Sequence, residues 1–256
     1  MELNKPVSPI ISYGTYPFLG LVLAALAVLI AQGRLDAASV AGPWMLGPAL
    51  LLIVLEWRLP LKPEWRMTKQ TFWRRDIKYV IPFVVLGIIA KPVAAFVALR
   101  LMSVIGAGPL ASLPLWAQVA AGILMFDLLW YHYHRFAHSN GRLWRSHAAH
   151  HSAPQLYVVM HLLFHPIDAL MVELLLPLAV FRLTGMSVDA AASAVMIQGL
   201  QGVVGHTNLD LRFGPLNYLL MTTETHRYHH SAMPEEFRQL QQHDLDLGPA
   251  FRDVHL

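Results

Sequence analysis

Fourteen histidines are the main polar feature of this sequence, and the first of them is His132. Eight fall into three clusters with helical spacing, at His134 and His138, at His147, His150 and His151, and at His226, His229 and His230. Residues three and four apart lie on one helix face, so each cluster directs two or three imidazoles toward one region. One metal ion takes about four to six ligands. Eight histidines therefore predict a site for two metal ions.

Residue types leave the metal open, since neutral imidazole binds iron, zinc, copper and nickel. The chain has no cysteine, which excludes disulfide scaffolds, thiolate zinc sites and cysteine-ligated iron–sulfur clusters. An isolated histidine is more often a hydrogen-bonded or interfacial residue than a ligand. On that ground we leave four histidines unassigned: His132, His161, His243 and His255.

A ligating histidine usually donates its second ring N–H to an acceptor. Four residues are the best-placed acceptors by sequence, namely Asp127, Asp168, Asn208 and Glu224. Capping of a helix end is the alternative role for each.

The elements that must position these histidines are apolar. Hydrophobic residues make up 55% of the chain and charged residues 14%, against about 25% charged in an ordinary globular protein. Long uncharged or weakly charged stretches predict membrane helices, each near the length that a bilayer requires. The predicted spans are residues 6–33, 37–55, 79–102, 115–130, 156–181 and 188–204. The third is either one kinked span or a shallow helical hairpin, and the last two either cross or dip in as a re-entrant pair.

The loop from Arg58 to Lys78 contains seven basic residues and only two acidic ones, Glu64 and Asp76. The positive-inside rule therefore predicts that this loop and the amino terminus lie in the cytoplasm. Such a loop suits anionic lipid headgroups better than nucleic acid. Counting spans then brings all histidine clusters to the same cytoplasmic side. We predict a transmembrane anchor region at residues 1–130, a histidine-box catalytic region at 131–231 and a divergent carboxy-terminal tail at 232–256.

The ordered set of motifs resembles the fatty acid hydroxylase/sterol desaturase superfamily of membrane oxygenases. Beyond the three histidine clusters, the resemblance rests on the following elements: Arg74-Arg75-Asp76, Leu143-Trp144, Phe164-His165-Pro166, His206-Thr207-Asn208 and Phe213-Gly214-Pro215. It implies an all-α integral membrane bundle with a cytosolic histidine-rich cap that holds a di-iron centre. It also implies that His165 and His206 join the ligands, which makes ten.

Three departures from the family pattern stand out. Thr222 to Thr225 replace a proline that usually precedes the last cluster, and Leu163 stands where an arginine is common. After the last cluster the chain reads Ala232-Met233-Pro234-Glu235-Glu236 in place of an Asn-Tyr-Gly element.

The resemblance implies an oxygen-dependent lipid hydroxylase or desaturase with two iron ions, which takes its lipid substrate from the bilayer and consumes molecular oxygen. Oxidation of an unactivated C–H bond needs a metal cofactor because no side chain is a strong enough oxidant. Electrons are expected from a separate donor protein, since the chain lacks a flavin fingerprint, a haem-attachment motif and iron–sulfur cysteines. The alternatives are a membrane metal-binding or transport protein and a bis-histidine haem carrier.

Overall fold

The computed structural model describes residues 8–105, 108–153 and 155–230. These residues form α-helices with short 3₁₀ and π-helical turns and no strand, which confirms the predicted all-α class for the described part. The α-helices are α1 (Pro9–Ala31), α2 (Ala37–Arg58), α3 (Lys69–Thr71), α4 (Ile77–Ile105), α5 (Leu115–Ser139), α6 (Gly141–His147), α7 (Pro166–Leu170), α8 (Leu176–Thr184), α9 (Val188–Gly205) and α10 (Thr223–His230).

Helix ends follow local sequence signals. The Asp36 carboxylate caps α2 by accepting a hydrogen bond from the Ser39 backbone N–H, and the Ser187 side chain caps α9 in the same way. At a helix C-terminus, Gly185 ends α8 with a positive φ of 58°, a conformation that glycine adopts without steric cost. The first two predicted spans, residues 6–33 and 37–55, are present as α1 and α2.

Three helical stretches are long and apolar enough to cross a membrane: Pro9–Ala31, Pro63–Leu101 and Val188–Gly205. Large apolar side chains point outward from the first two, such as Leu21, which is 71% exposed, and Ile88, which is 68% exposed. Apolar surface of this kind is stable when it faces lipid rather than water. The protein is therefore a membrane protein by its described helices, while the full set of six spans stays a prediction.

The predicted third span is one continuous helix. α4 runs through Pro82 and Pro92 without a break. Lys91, which interrupts its apolar sequence, forms an ion pair with Glu173 in the π-helical turn Met171–Leu175. Pairing offsets the cost of placing a charge among apolar helices.

The fifth predicted span, residues 156–181, differs from the structure. Its first ten residues form a 3₁₀ turn and connecting segments, and helix begins only at Pro166. Leu156, Tyr157, Met160 and Leu163 are buried together in a core cluster, so this apolar stretch fills the protein interior rather than lipid. Hydrophobic composition alone does not separate these two environments.

All the histidine clusters lie at one end of the bundle. That end holds the last turns of α2, α5 and α9 and the first turns of α4 and α7, which are joined by contacts described below. The opposite end holds the connections at Gly33, at Gly108 and at Gly185, and there the Leu110 N–H donates to the Thr184 carbonyl. The predicted region boundary at residue 130 falls inside α5, and residues 232–256 lie outside the described part.

Candidate metal centre

Four histidines from residues 134–151 form a first group. His134 and His138 lie one turn apart at the end of α5, His147 ends α6, and His151 lies in the 3₁₀ turn His150–Ser152. One ring nitrogen from each of them lies within 4.8 Å of the others. The Asn140 side chain caps α6 by accepting from the backbone N–H groups of Arg142 and Leu143, which fixes the turn between the two pairs.

A second group contains His150, His206, His226 and His230, again with ring nitrogens within 4.8 Å of one another. The Nε2 atom of His206 lies 3.2 Å from Nε2 of His150 and 3.0 Å from Nε2 of His226. These side chains come from the 3₁₀ turn after α6, from the end of α9 and from α10. This group therefore forms only when distant parts of the chain meet.

The two groups are neighbours. His151, His229 and His230 also lie close enough to hold an ion together, and His151 and His230 belong to the first and second groups respectively. Nε2 of His229 is 2.8 Å from Nε2 of His134. The arrangement can hold two metal ions side by side, with His229 between the groups.

The donor chemistry fits metal ions. Both ring nitrogens of His147, Nδ1 of His134 and Nε2 of His138 are buried without a hydrogen-bond partner among the described residues. Burial lowers the pKa of His147 to about 3 and that of His229 to about 4, so both imidazoles are neutral at pH 7. Neutral rings with inward lone pairs and no partner are the state that a metal ion requires.

The tenth predicted ligand lies apart. His165 precedes α7, where its Nδ1 accepts a hydrogen bond of 3.3 Å from the Ile167 backbone N–H. Neither four-histidine group includes it. Ligation by His165 stays a prediction, and the contact that the structure shows is a helix cap.

Of the four predicted acceptors, Asp168 lies beside a histidine of the first group. Its fully buried carboxylate accepts a hydrogen bond from the Tyr133 hydroxyl, and its Oδ2 is 3.9 Å from Nδ1 of His147. This distance exceeds that of a hydrogen bond, so orientation of the His147 ring by Asp168 stays a prediction.

The other three acceptors make different contacts. Asp127 accepts from Gln198, Asn208 bonds to both the N–H and the carbonyl of Lys62, and Glu224 accepts from the Phe213 N–H and the Asn217 amide. Glu224 also lies 3.6 Å from Arg212. Asn208 and Glu224 thereby hold the segments that carry His206 and α10, and a direct role beside a ligand stays a prediction for all three.

The threonines that replace the family's proline have a structural role. The Thr225 backbone N–H donates to the Thr222 hydroxyl, which starts α10 with a side-chain cap. Thr223 donates to the carbonyl of Val204, next to the end of α9. These threonines thus hold the start of α10, the helix that carries the last histidine cluster.

Sequence reasoning missed Glu56. Its buried Oε2 accepts hydrogen bonds from the backbone N–H groups of Val158 and Asn208, at 3.0 and 2.9 Å. His161, which the sequence leaves unassigned, has its ring centroid 5.3 Å from that of His206 but belongs to none of the candidate metal groups among the described residues. A glutamate at the end of an apolar run was the available signal for Glu56, whereas no spacing pattern marks His161.

Two sequence comparisons relate parts of this chain to known proteins. Residues 119–244 match the family model described as fatty acid hydroxylase. Over 123 residues the chain is 34% identical to ornithine lipid hydroxylase OlsE of Rhizobium tropici. The match spans 48% of this chain and 37% of that relative's length. No solved structure gives a significant match. The matched segment, residues 119–244, contains all three histidine clusters and is a fatty acid hydroxylase domain.

Proposed function

We propose that the protein is an oxygen-dependent lipid hydroxylase that holds iron in both histidine groups. The observation that carries this proposal is the pair of adjacent four-histidine groups at one end of a membrane bundle. The family match and the lipid hydroxylase relative support hydroxylation over metal transport, and they favour it over desaturation.

The reaction inserts one oxygen atom of O₂ into a C–H bond of the lipid and reduces the other to water, with two electrons and two protons supplied from outside. Bound iron would supply the oxygen activation that no side chain provides. His134, His138, His147 and His151 would hold one ion, and His150, His206, His226 and His230 the other. Asp168 would orient His147, and the His206 ring would be fixed by its own backbone contact in α9.

The location fits an apolar substrate. A lipid can approach laterally between the helices, while its reactive carbon reaches the histidine end of the bundle. We place that end on the cytoplasmic side, because the basic loop at residues 58–78 shares it. Residues 1–130 then act chiefly as the anchor and residues 131–231 as the catalytic region.

A metal count tests the site. Protein purified in detergent from iron-replete cells should contain two iron atoms per chain. His147→Ala and His226→Ala should each remove about one, because they belong to different groups, and His132→Ala should remove none, since that exposed side chain lies outside both. Iron absent from the wild-type protein, or equal content in all three variants, would contradict the proposal.

A lipid analysis tests the reaction. Cells with the gene and cells without it should differ by a lipid that has gained one oxygen atom, and ornithine-containing lipids are the first class to examine because of the relative's activity. A lipid that has instead lost two hydrogens would assign desaturation. Metal flux into proteoliposomes without any lipid change would assign transport.

A further inference from the structure

Trp144 connects the protein surface to the first histidine group. Its side chain is 39% exposed, and its ring centroid lies 5.2 Å from that of His138 and 5.8 Å from that of His151. The Trp144 and His151 planes are inclined by only 31°. One aromatic ring therefore spans the distance between solvent and two candidate metal ligands.

The surface around Trp144 is positively charged. Arg135, Arg142 and Arg145 are exposed, and no acidic residue occurs between Asp127 and Asp168 in the sequence. Arg135 donates to the Tyr131 hydroxyl, and no ion pair joins any of the three arginines to another described residue. Within the part of the chain that the structure describes, no acidic side chain neutralises these three charges.

The two groups differ in their access to this surface. His150, His206 and His226 of the second group are 2%, 3% and 5% exposed, whereas His138 of the first group is only half-buried. Electron tunnelling falls steeply with distance, so an electron from outside enters most readily through the first group. Trp144 is the exposed ring in contact with it.

We propose that Trp144, with Arg135, Arg142 and Arg145 around it, forms the docking and electron-entry surface for an acidic one-electron carrier protein. The inference rests on the proposed hydroxylase function, which consumes two electrons per turnover. Each docked carrier is oxidised by one electron, so two dockings supply one turnover, and water supplies the two protons. Arginine and tryptophan are also the residue types that contribute most at protein interfaces.

Charge complementarity selects this partner. A cluster of exposed arginines that forms no ion pair with the other described residues steers an acidic protein toward it and raises the association rate at low salt. A second set of exposed tryptophan and arginine side chains lies in or beside the basic loop that we assign to anionic lipid headgroups: Trp57, Arg58, Arg66, Trp73 and Arg74. The alternative partner of the Trp144 surface is an anionic lipid surface, and the binding test distinguishes it from an acidic protein.

The binding test uses the iron-loaded protein in detergent and an acidic plant-type [2Fe–2S] ferredoxin as the probe. The double variant Arg142→Gln/Arg145→Gln should weaken ferredoxin binding about tenfold at low salt, with the difference disappearing at high salt. The matched control is Arg34→Gln/Arg182→Gln, which removes two exposed arginines from the opposite end of the bundle and should leave the affinity unchanged.

Equal affinity of both double variants for ferredoxin would overturn the proposal. A second outcome would also overturn it: Arg142→Gln/Arg145→Gln keeps its ferredoxin affinity but, embedded in nanodiscs, binds more weakly to vesicles of anionic phospholipid. That result would assign the arginines to lipid. Neither outcome affects the iron count or the lipid product, so failure of this inference is separable from failure of the hydroxylase function.

The electron-entry step has its own readout. Trp144→Leu should keep the iron content of the wild type but slow the anaerobic oxidation of reduced ferredoxin by the ferric protein, measured at saturating ferredoxin by its visible absorbance in stopped flow. Trp144→Phe, which keeps an aromatic ring, should restore much of the rate. An unchanged rate in Trp144→Leu with full iron content would remove Trp144 from the path.

Discussion

The His206 Nδ1–H donates a hydrogen bond of 2.7 Å to the carbonyl oxygen of Gly202, one turn earlier in α9. This contact fixes the ring tautomer, so the lone pair is on Nε2, the atom that faces His150 and His226. Gly202 has a second role, because the His161 ring packs where a larger residue would place its Cβ. One glycine therefore both orients a candidate ligand and makes room for a neighbouring imidazole.

Gly202→Ala should disrupt this arrangement. The added Cβ would lie 2.3 Å from Cε1 of His161, and overpacking of this kind typically costs about 1–3 kcal/mol. We expect a lower melting temperature in detergent and a loss of metal from the second group. Gly20→Ala is the matched control, since its Cβ meets nothing within 4 Å. Equal behaviour of the two variants would show that the contact with His161 has no effect.

Asp168→Asn should weaken metal binding by the first group. The change removes the carboxylate beside His147 but keeps the shape of the side chain, and partners of ligating histidines typically contribute about 10–100-fold to metal affinity. Competition with a chelator measures this affinity. Asp127→Asn serves as the control, because Asp127 contacts Gln198 instead. A similar affinity in both variants would refute the role of Asp168.

Glu56→Ala should destabilise the fold at the histidine end. It leaves the buried backbone N–H groups of Val158 and Asn208 without their acceptor, and each such group costs about 1–3 kcal/mol. Thermal melting should show the loss, whereas Glu56→Gln, which retains an oxygen acceptor, should recover most of the stability. Glu64→Ala, an exposed position, should be neutral. A neutral Glu56→Ala would contradict the structure.

His165→Asn tests the predicted ligand that belongs to none of the three histidine sets among the described residues. Asparagine is a good helix cap, so this variant should keep both the stability and the metal content of the wild type if capping of α7 is the role of His165. His165→Ala should lose part of the stability. A fall in metal content in His165→Asn, measured by mass spectrometry of the purified protein, would instead support ligation.

The sequence predicted the histidine clusters well because helical spacing is a local property. His134 and His138 must share a helix face in any helical structure, and the structure brings both into one group with His147. Long uncharged stretches likewise predicted the first helices. Residues 156–165 were harder to predict, because segments that face lipid and segments that pack in the protein core have the same apolar composition.

The sequence does not predict which groups the four candidate acceptors contact. Asp127, Asn208 and Glu224 lie near histidines in sequence, but their side chains bond elsewhere because helix packing decides direction. Conversely, Glu56 is far from any histidine in sequence and still holds the backbone next to His206 through Asn208. Contacts of this range depend on tertiary packing and have no local sequence signal.

The two histidine groups differ in when they can assemble. The first draws on residues 134–151 alone, so local folding can complete it as soon as α6 and the turn after it have emerged from the ribosome. The second needs α9 and α10, which are made much later. A nascent or prematurely ended chain would thus offer a single metal-binding group, and iron taken up at that stage would have no second ion beside it.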